Sequence, residues 1–237
     1  MKVVKTISLK AWPRATISER LSGSYSSRVH VTLHGEFDVS AVKELKKELE
    51  SIIEGEYSTR LTYTSLFIKL VAHVLRRHLI FNSIIDGDEV KVIDDINISV
   101  AVQSERLGLI TPVIRNVDTK TLGEVCQQLN DLVNKAREGK ISIKDLSEGT
   151  FTVSNLGMLG SVDAFTQIIN PPQVAILGIG RIVDKPVVID GEIKVRPLCT
   201  FSLTFDHRVI DGYHGAEFLA TLKELLEKPR EVLGNNI

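Results

Sequence analysis

The chain has 237 residues, of which 43% are hydrophobic and 25% charged, and its formal net charge is −1. This composition is typical of a folded globular protein, and the balanced charge gives no electrostatic basis for binding nucleic acid or an anionic membrane. No stretch reaches the roughly 20 apolar residues that a membrane helix needs. The two cysteines form no CxxC pair, which excludes a zinc ribbon or thioredoxin-like motif and fits a reducing compartment.

Hydrophobic spacing and turn residues divide the chain into short strands and helices. In chain order, the first half is predicted to contain a strand at 3–9, a helix at 15–26, a strand at 28–39, helices at 41–53 and 64–78, a hairpin at 84–93, and strands at 96–104 and 108–114. The second half is predicted to contain a helix at 121–140, strands at 149–157 and 173–182, a hairpin at 187–195, a strand at 198–206 and a helix at 215–228. Asp38 or Ser40 is placed to cap the helix at 41–53.

The order of these elements predicts the fold class. Strands outnumber helices, and the two do not alternate in a regular βαβ rhythm, which argues against a doubly wound nucleotide fold. We therefore expect an α/β fold of the α+β type, a two-layer sandwich with helices on one face of a mixed sheet. No internal repeat or Pro/Gly/Ser-rich linker interrupts the sequence, so we expect a single domain over residues 1–237.

Several motifs favour structural interpretations. The run ILGIGR (176–181) lacks the third glycine of a dinucleotide motif, and its glycines are expected to permit close packing in a strand. Lys185 follows an aspartate, as a lipoylated lysine does, but we predict that it lies in an irregular, solvated connection. Cys199 is expected to be a small apolar strand residue, and His30 a packing residue.

The stretch TFDHRVIDGYHG (204–215) carries the candidate chemistry. His207 falls where a strand with one apolar and one polar face ends, and Asp211 is placed to cap the last helix. From these residues alone, His207 is either an ordinary surface histidine or a base that projects into a cleft. No third ligand lies at a suggestive spacing from His207 and Asp211, so we expect no metal site.

DHRVIDG resembles the His-x-x-x-Asp-Gly active-site motif of the dihydrolipoyl acyltransferases, the core subunits of 2-oxo acid dehydrogenase complexes, and of the related chloramphenicol acetyltransferases. Four further segments resemble the acyltransferases in family order. They are HVTLHGEFDV (30–39), NISVAVQSERLGLITPVIRN (97–116), FTVSNLGMLG (151–160) and AFTQIINPPQVAILGIG (164–180). The resemblance covers nearly the whole chain and implies a chloramphenicol acetyltransferase-like fold.

The resemblance implies acyl transfer between the thiol of dihydrolipoamide and the thiol of coenzyme A. A thiol must lose its proton before it attacks, and a neutral imidazole can accept that proton. His207 matches the family's base, and Ser154 matches the hydroxyl that donates to the oxyanion. Asp211 matches a position of Asp or Asn, with an orienting or structural role expected and a direct catalytic role as the alternative.

The resemblance also implies partners. We expect a homotrimer that builds a larger cage, with His207 and Ser154 of neighbouring subunits meeting in a channel. Coenzyme A would enter that channel at one end and a lipoyl arm at the other. We expect neither a lipoyl nor a peripheral-subunit-binding domain within these 237 residues, so the lipoyl group would come from another domain or chain, beside decarboxylase and dihydrolipoyl dehydrogenase subunits. The expected compartment is the cytoplasm, or the mitochondrial matrix in a eukaryote.

The acyl group and two alternatives stay open. The segments SNLGMLG and IINPPQ look more like acetyl-transferring members, as in pyruvate dehydrogenase complexes, with a branched-chain acyl group as the other expectation. A free-standing acyl-CoA transferase for a small acceptor, or a cage scaffold whose activity has lapsed, would share the same motifs. Residues that bind coenzyme A are not identified by the sequence.

Overall fold

The structure is a computed structural model and describes residues 2–6 and 8–233. In this part of the chain the α-helices are α1 (Arg14–Ser27), α2 (Ser40–Tyr57), α3 (Tyr63–Arg77), α4 (Leu122–Glu138), α5 (Gly212–Glu227) and α6 (Arg230–Leu233). The strands are β1 (His30–Asp38), β2 (Ser83–Asp86), β3 (Glu89–Val92), β4 (Ile98–Val100), β5 (Val102–Ser104), β6 (Gly108–Ile110), β7 (Val113–Ile114), β8 (Phe151–Asn155), β9 (Ala175–Ile189) and β10 (Glu192–Asp206). The five predicted helices are confirmed, and only the short α6 was not predicted.

The strand predicted at 3–9 is wrong for the part that is described. Residues 3–6 and 8–9 form no strand, and Ile7 lies outside the described residues. Val3, Val4 and Leu9 are exposed. An alternating pattern becomes a strand only where a neighbouring strand pairs with its backbone, and none of the described strands does so here.

Six strands form one mixed sheet in the order β1-β10-β9-β8-β4-β7. β8 runs parallel to both β9 and β4, and the other neighbours are antiparallel. Helix α5 packs against β1 and β10, α2 contacts β10, α4 contacts β7, and α3 packs against the other three helices and reaches β10 through Phe67. The predicted mixed sheet is confirmed. The predicted placement of helices on one face holds for α2–α5, whereas α1 packs against the segment 160–174 on the opposite face.

β10 divides the sheet into an apolar and a polar face, as its alternation predicts. Phe201, Leu203 and Phe205 are buried on the helix side. Phe67 of α3 meets Phe201 edge-on, with ring centroids 5.2 Å apart. Gly215 lets α5 approach closely, because a Cβ there would lie 2.7 Å from the Phe205 ring. These contacts tie the first turn of α5 to the end of β10.

Two strand predictions on β9 and β10 need correction. Residues 173–182, 187–195 and 198–206 do not form separate strands with loops between them; they belong to two continuous 15-residue strands joined by one turn. Asp190 and Gly191 make that turn at positive φ, which explains the Asp-Gly pair. Lys185 therefore lies inside β9, opposite Arg196, and not in an irregular loop. Its ammonium group pairs with Glu36 of β1.

The polar face is covered by the segment 160–174, which we call the strap. Gly178 and Gly180 of β9 allow the strap to lie directly on the sheet. A Cβ at Gly180 would lie 1.8 Å from the carbonyl oxygen of Asp163, and one at Gly178 would lie 1.8 Å from Nε2 of Gln167. The prediction that the ILGIGR glycines serve close packing is confirmed.

Candidate active site

His207 follows the last residue of β10 and begins the turn into α5. Its backbone N–H donates to the carbonyl oxygen of Val29 at 2.8 Å, and the N–H groups of Val209 and Ile210 donate to the carbonyl oxygen of Asp206. Ile210 is buried beneath this turn, whereas His207 is exposed. The backbone is therefore fixed while the imidazole projects outward.

Asp206 anchors the same turn through its side chain. The carboxylate is fully buried and accepts bonds from Nε and Nη2 of Arg208 at 3.0 and 2.6 Å. It also accepts from the backbone N–H groups of Arg208 and Val29. Burial alone would raise the pKa of this carboxyl, but the bonds from Arg208 and the backbone outweigh burial and lower its pKa. The carboxylate thus stays charged and ties the turn at His207 to Val29, the residue before β1.

Asp211 occupies the N-cap position of α5, as predicted. Its side chain makes no capping hydrogen bond, and the residue is exposed. The N–H of Gly215 donates to the Asp211 carbonyl oxygen at 3.2 Å, which is the first backbone bond of the helix. The prediction that Asp38 or Ser40 caps α2 is wrong, because the N-cap of α2 is Val39 and no side chain makes a capping bond there. The carboxylate of Asp38, one residue before the N-cap, accepts from the N–H of Ser40 at 2.8 Å.

Ser154 lies on the polar face of β8, near the end of the strand. It pairs with Gly178, which in turn pairs with Ser202 of β10, so these three residues form one row across the sheet. The neighbouring Thr152 and Asn155 are bonded to Gln173 and Thr64. The half-buried hydroxyl of Ser154 bonds none of the described residues, which leaves it available to a ligand.

Ser154 and His207 do not meet within one chain. Ser154 is two strands from Ser202, which is roughly 10 Å at the usual strand spacing, and His207 is five residues beyond Ser202, roughly 17 Å along the strand. The two Cα atoms are therefore about 20 Å apart, too far for a serine and a histidine side chain to act on one atom. The site predicted from sequence is incomplete in a single copy.

A cleft elsewhere on the molecule contains none of the candidate catalytic residues. It has a volume of about 500 Å³ and is lined in part by Asn97, Ser99, Arg115 and Gln173. Neither His207 nor Ser154 lines it.

Two other sequence predictions are confirmed. Nε2 of His30 accepts from the N–H of Ile169 at 3.2 Å and Nδ1 lies 3.3 Å from the Arg28 carbonyl oxygen, so this ring is a satisfied structural group. Cys199 is buried, and burial raises the pKa of its thiol to about 12. It is therefore a packing residue and not a nucleophile.

Two residues near the site were not singled out from sequence. Asp206 could have been found, because an acidic residue ending the polar face of a strand stands two positions before an arginine. Gln167 could not, because its position against Gly178 arises only when the strap folds over the sheet.

Residues 2–6 and 8–233 contain neither a membrane-spanning helix nor a metal cluster. No helix in these ranges is both long and apolar enough to cross a membrane. No group of three or more His, Cys, Asp or Glu side chains among the same residues could hold a metal ion.

Comparison with known proteins identifies the family and the fold. The family model for the 2-oxoacid dehydrogenases acyltransferase (catalytic domain) matches residues 4–234. The dihydrolipoyllysine-residue succinyltransferase component of the 2-oxoglutarate dehydrogenase complex of Haemophilus influenzae is 40% identical over 220 residues. That alignment covers 93% of this chain and 53% of the relative, so the chain spans about half the length of the curated relatives it matches.

Solved structures agree with the family model. The cubic core of a pyruvate dehydrogenase multienzyme complex is 31% identical with a TM-score of 0.91, covering 98% of this chain and 94% of the other. Azotobacter vinelandii dihydrolipoamide acetyltransferase is 32% identical with a TM-score of 0.91 and the same coverage. In that enzyme a serine, a histidine and an asparagine were investigated for their catalytic role, the asparagine four residues after the histidine. A chloramphenicol acetyltransferase, 15% identical with a TM-score of 0.57 over 94% of this chain and 99% of the other, shares the fold.

Proposed function

Because the chain belongs to the family of 2-oxoacid dehydrogenase acyltransferase catalytic domains, we propose that it transfers an acyl group between the thiols of dihydrolipoamide and coenzyme A. The observation that carries this proposal is the His207 turn, where a fixed backbone presents an exposed imidazole. The same spacing as His207 and Asp211 separates the histidine and asparagine investigated in the Azotobacter enzyme. The serine precedes the histidine by 52 residues there, and Ser154 precedes His207 by 53 in this chain.

The proposed reaction balances without an external reagent. The imidazole of His207 accepts the proton of the attacking thiol, and the thiolate adds to the carbonyl carbon of the bound thioester. The resulting oxyanion accepts a hydrogen bond from Ser154. Collapse of this intermediate breaks the original C–S bond, and the imidazolium returns the proton to the departing sulfur. Transfer is direct, so no acyl-enzyme forms.

The separation of Ser154 and His207 supports an assembled enzyme. We propose that the chain is one catalytic domain of a homotrimer in which the serine of one subunit faces the histidine of its neighbour. A head-to-tail contact of this kind uses two different surfaces of each copy and closes into a ring. The likeness to a cubic core supports a larger cage built from such trimers. The lipoyl group would then come from a separate lipoyl domain, with decarboxylase and dihydrolipoyl dehydrogenase as partner enzymes.

Asp211 is assigned a positioning role in this proposal. It begins α5 directly after the catalytic turn, and its exposed carboxylate is free to bond a neighbouring subunit. The Asp206–Arg208 pair already holds the turn from inside the chain. Asp211→Asn is therefore expected to keep more activity than the corresponding change at His207.

The acyl group is decided by one assay. Transfer to free dihydrolipoamide is measured for acetyl-, isobutyryl- and succinyl-CoA, beside the His207→Ala variant. The sequence segments favour acetyl or branched-chain acyl groups, whereas relatives 40% identical are succinyltransferases; the highest kcat/KM decides. Transfer from none of the three, or transfer unaffected in His207→Ala, would overturn the proposed function.

A further inference from the structure

Gly178 leaves a gap in the row of side chains that begins at Ser154, and the carboxamide of Gln167 fills it. A Cβ at Gly178 would lie 1.8 Å from Nε2 and 2.6 Å from Cδ of Gln167. Since Ser154 and Gly178 are paired neighbours on adjacent strands, their Cα atoms are about 5 Å apart. The amide of Gln167 therefore lies beside Ser154 on the same face of the sheet.

The orientation of this amide is determined by its partners. Nε2 donates to the carbonyl oxygen of Phe165 at 2.5 Å, and a carbonyl oxygen can only accept, so the nitrogen must lie on that side. Oε1 accepts from the hydroxyl of Thr204 at 2.9 Å, and Thr204 in turn lies 2.7 Å from the hydroxyl of Thr32. Because Thr204 donates its proton to Gln167, Thr32 donates to Thr204.

One N–H of Gln167 is left over. A carboxamide nitrogen carries two protons, and the bond to Phe165 uses one of them. Gln167 is only 8% exposed, so this second donor is held in a largely dry setting where a hydrogen bond to a developing charge is strong. Two hydrogen-bond donors that converge on one oxygen at normal bond lengths lie about 5 Å apart. Paired residues on neighbouring strands, such as Ser154 and Gly178, are separated by about the same distance.

We propose that Gln167 is a further catalytic residue whose free N–H donates, together with the hydroxyl of Ser154, to the oxyanion of the thioester adduct. This inference rests on the proposed acyl transfer. The strap then has a chemical role as well as a structural one, because Phe165 and Thr204 hold the amide in place before substrate binds. Preorganisation of this kind is what makes an oxyanion donor effective.

The test compares Gln167→Met with Gln173→Met. Both glutamines lie in the strap and are buried, but Gln173 bonds Thr152 and Ser99, one row away from Ser154. Gln167→Met is expected to lower kcat about 100-fold with KM changed less than about threefold, because one oxyanion donor contributes about 10²–10³ in rate. Gln173→Met is expected to keep kcat within about threefold. Proteolysis and sedimentation establish that both variants fold and assemble.

The outcomes separate this inference from the proposed function. An inactive wild-type protein contradicts the proposed function itself. An active wild type with Gln167→Met at normal kcat, while Ser154→Ala is impaired, overturns only the role of Gln167. Equal losses of kcat in Gln167→Met and Gln173→Met, or a loss confined to KM, would assign Gln167 a structural role and also overturn it. If Gln167→Met does not fold, Thr204→Val carries the same comparison, since it removes the bond that orients the amide.

Discussion

The buried carboxylate of Asp206 and the guanidinium of Arg208, two residues on, form a bidentate ion pair that encloses the backbone of His207. Removing the charge with Asp206→Asn should lower the free energy of unfolding by about 1–3 kcal/mol, since charge-assisted bonds to a buried group are lost. The same change at Asp163, whose pair with Arg181 is exposed, should cost less than about 1 kcal/mol. Urea titrations of the two variants measure the difference; equal costs would contradict it.

The lowered pKa of Asp206 also predicts the direction in which the free energy of unfolding changes at acid pH. The pKa of this carboxyl is lower in the folded protein than in the unfolded chain, so its charge stabilises the fold at pH values above the unfolded pKa. This stabilisation is lost as the pH falls through the pKa of the folded state. The wild type should therefore lose stability below about pH 4, and Asp206→Asn should lose less over the same range. Parallel curves of unfolding free energy against pH would refute this.

His207→Ala should reduce kcat by about 10²–10⁴, the usual contribution of a positioned base. The ring is exposed and the turn is held by backbone bonds, so the variant should fold and assemble normally. His214→Ala, an exposed histidine on α5, is the matched control and should retain wild-type turnover. Steady-state transfer to dihydrolipoamide checks both, and near-normal turnover in His207→Ala would remove the mechanism.

Mixing two inactive variants tests whether the site is shared between copies. Ser154→Ala subunits still supply His207, and His207→Ala subunits still supply Ser154. If each site uses one residue from each of two neighbours in a ring, random co-assembly should restore about a quarter of the sites. Activity is measured after the two variants are unfolded and refolded together. A mixture no more active than its separate components would place both residues in one chain, against the separation of about 20 Å that the strand spacing gives.

Gly180→Ala should displace the strap. Its new Cβ would lie 1.8 Å from the backbone oxygen of Asp163, and backbone cannot move aside as a flexible side chain can. We expect a loss of about 1–3 kcal/mol in unfolding free energy. Gly55→Ala, in α2 with open space around it, should instead stabilise the protein by up to about 1 kcal/mol. Thermal unfolding of both variants decides; an unchanged Tm in Gly180→Ala would contradict the packing.

His73 provides a second source of acid sensitivity, independent of the site. Burial lowers its pKa to about 4, and its Nε2 is buried without a partner among the described residues. The unfolded chain therefore binds an extra proton between about pH 6.5 and 4, so stability should fall as pH decreases through that window. Since the ring is partly exposed, we expect about 1–2 kcal/mol. His73→Leu should flatten the curve in that window, whereas His214→Ala should not.

Most of the helices and strands could be predicted from patterns among residues that are only a few positions apart in the sequence. Thr121 and Glu124 form the capping box that begins α4, with each residue's side chain bonding the other's backbone. The alternation of Phe201, Leu203 and Phe205 with polar residues produced both faces of β10. Caps and periodicities involve residues a few positions apart, so the chain carries this information locally.

The sequence by itself thus determined the mixed sheet, its helices and the position of His207 at the end of a strand. Only the tertiary structure decided that β9 and β10 are continuous, that residues 3–9 include no strand among those described, and that Gln167 lies against Gly178, the strand partner of Ser154. The register of the strands supplied the distance between Ser154 and His207 in one chain, which the family resemblance had only implied to be large. Those facts depend on which strands pair, in which register, and on what folds over them. Such contacts join residues distant in sequence, and no local periodicity encodes them.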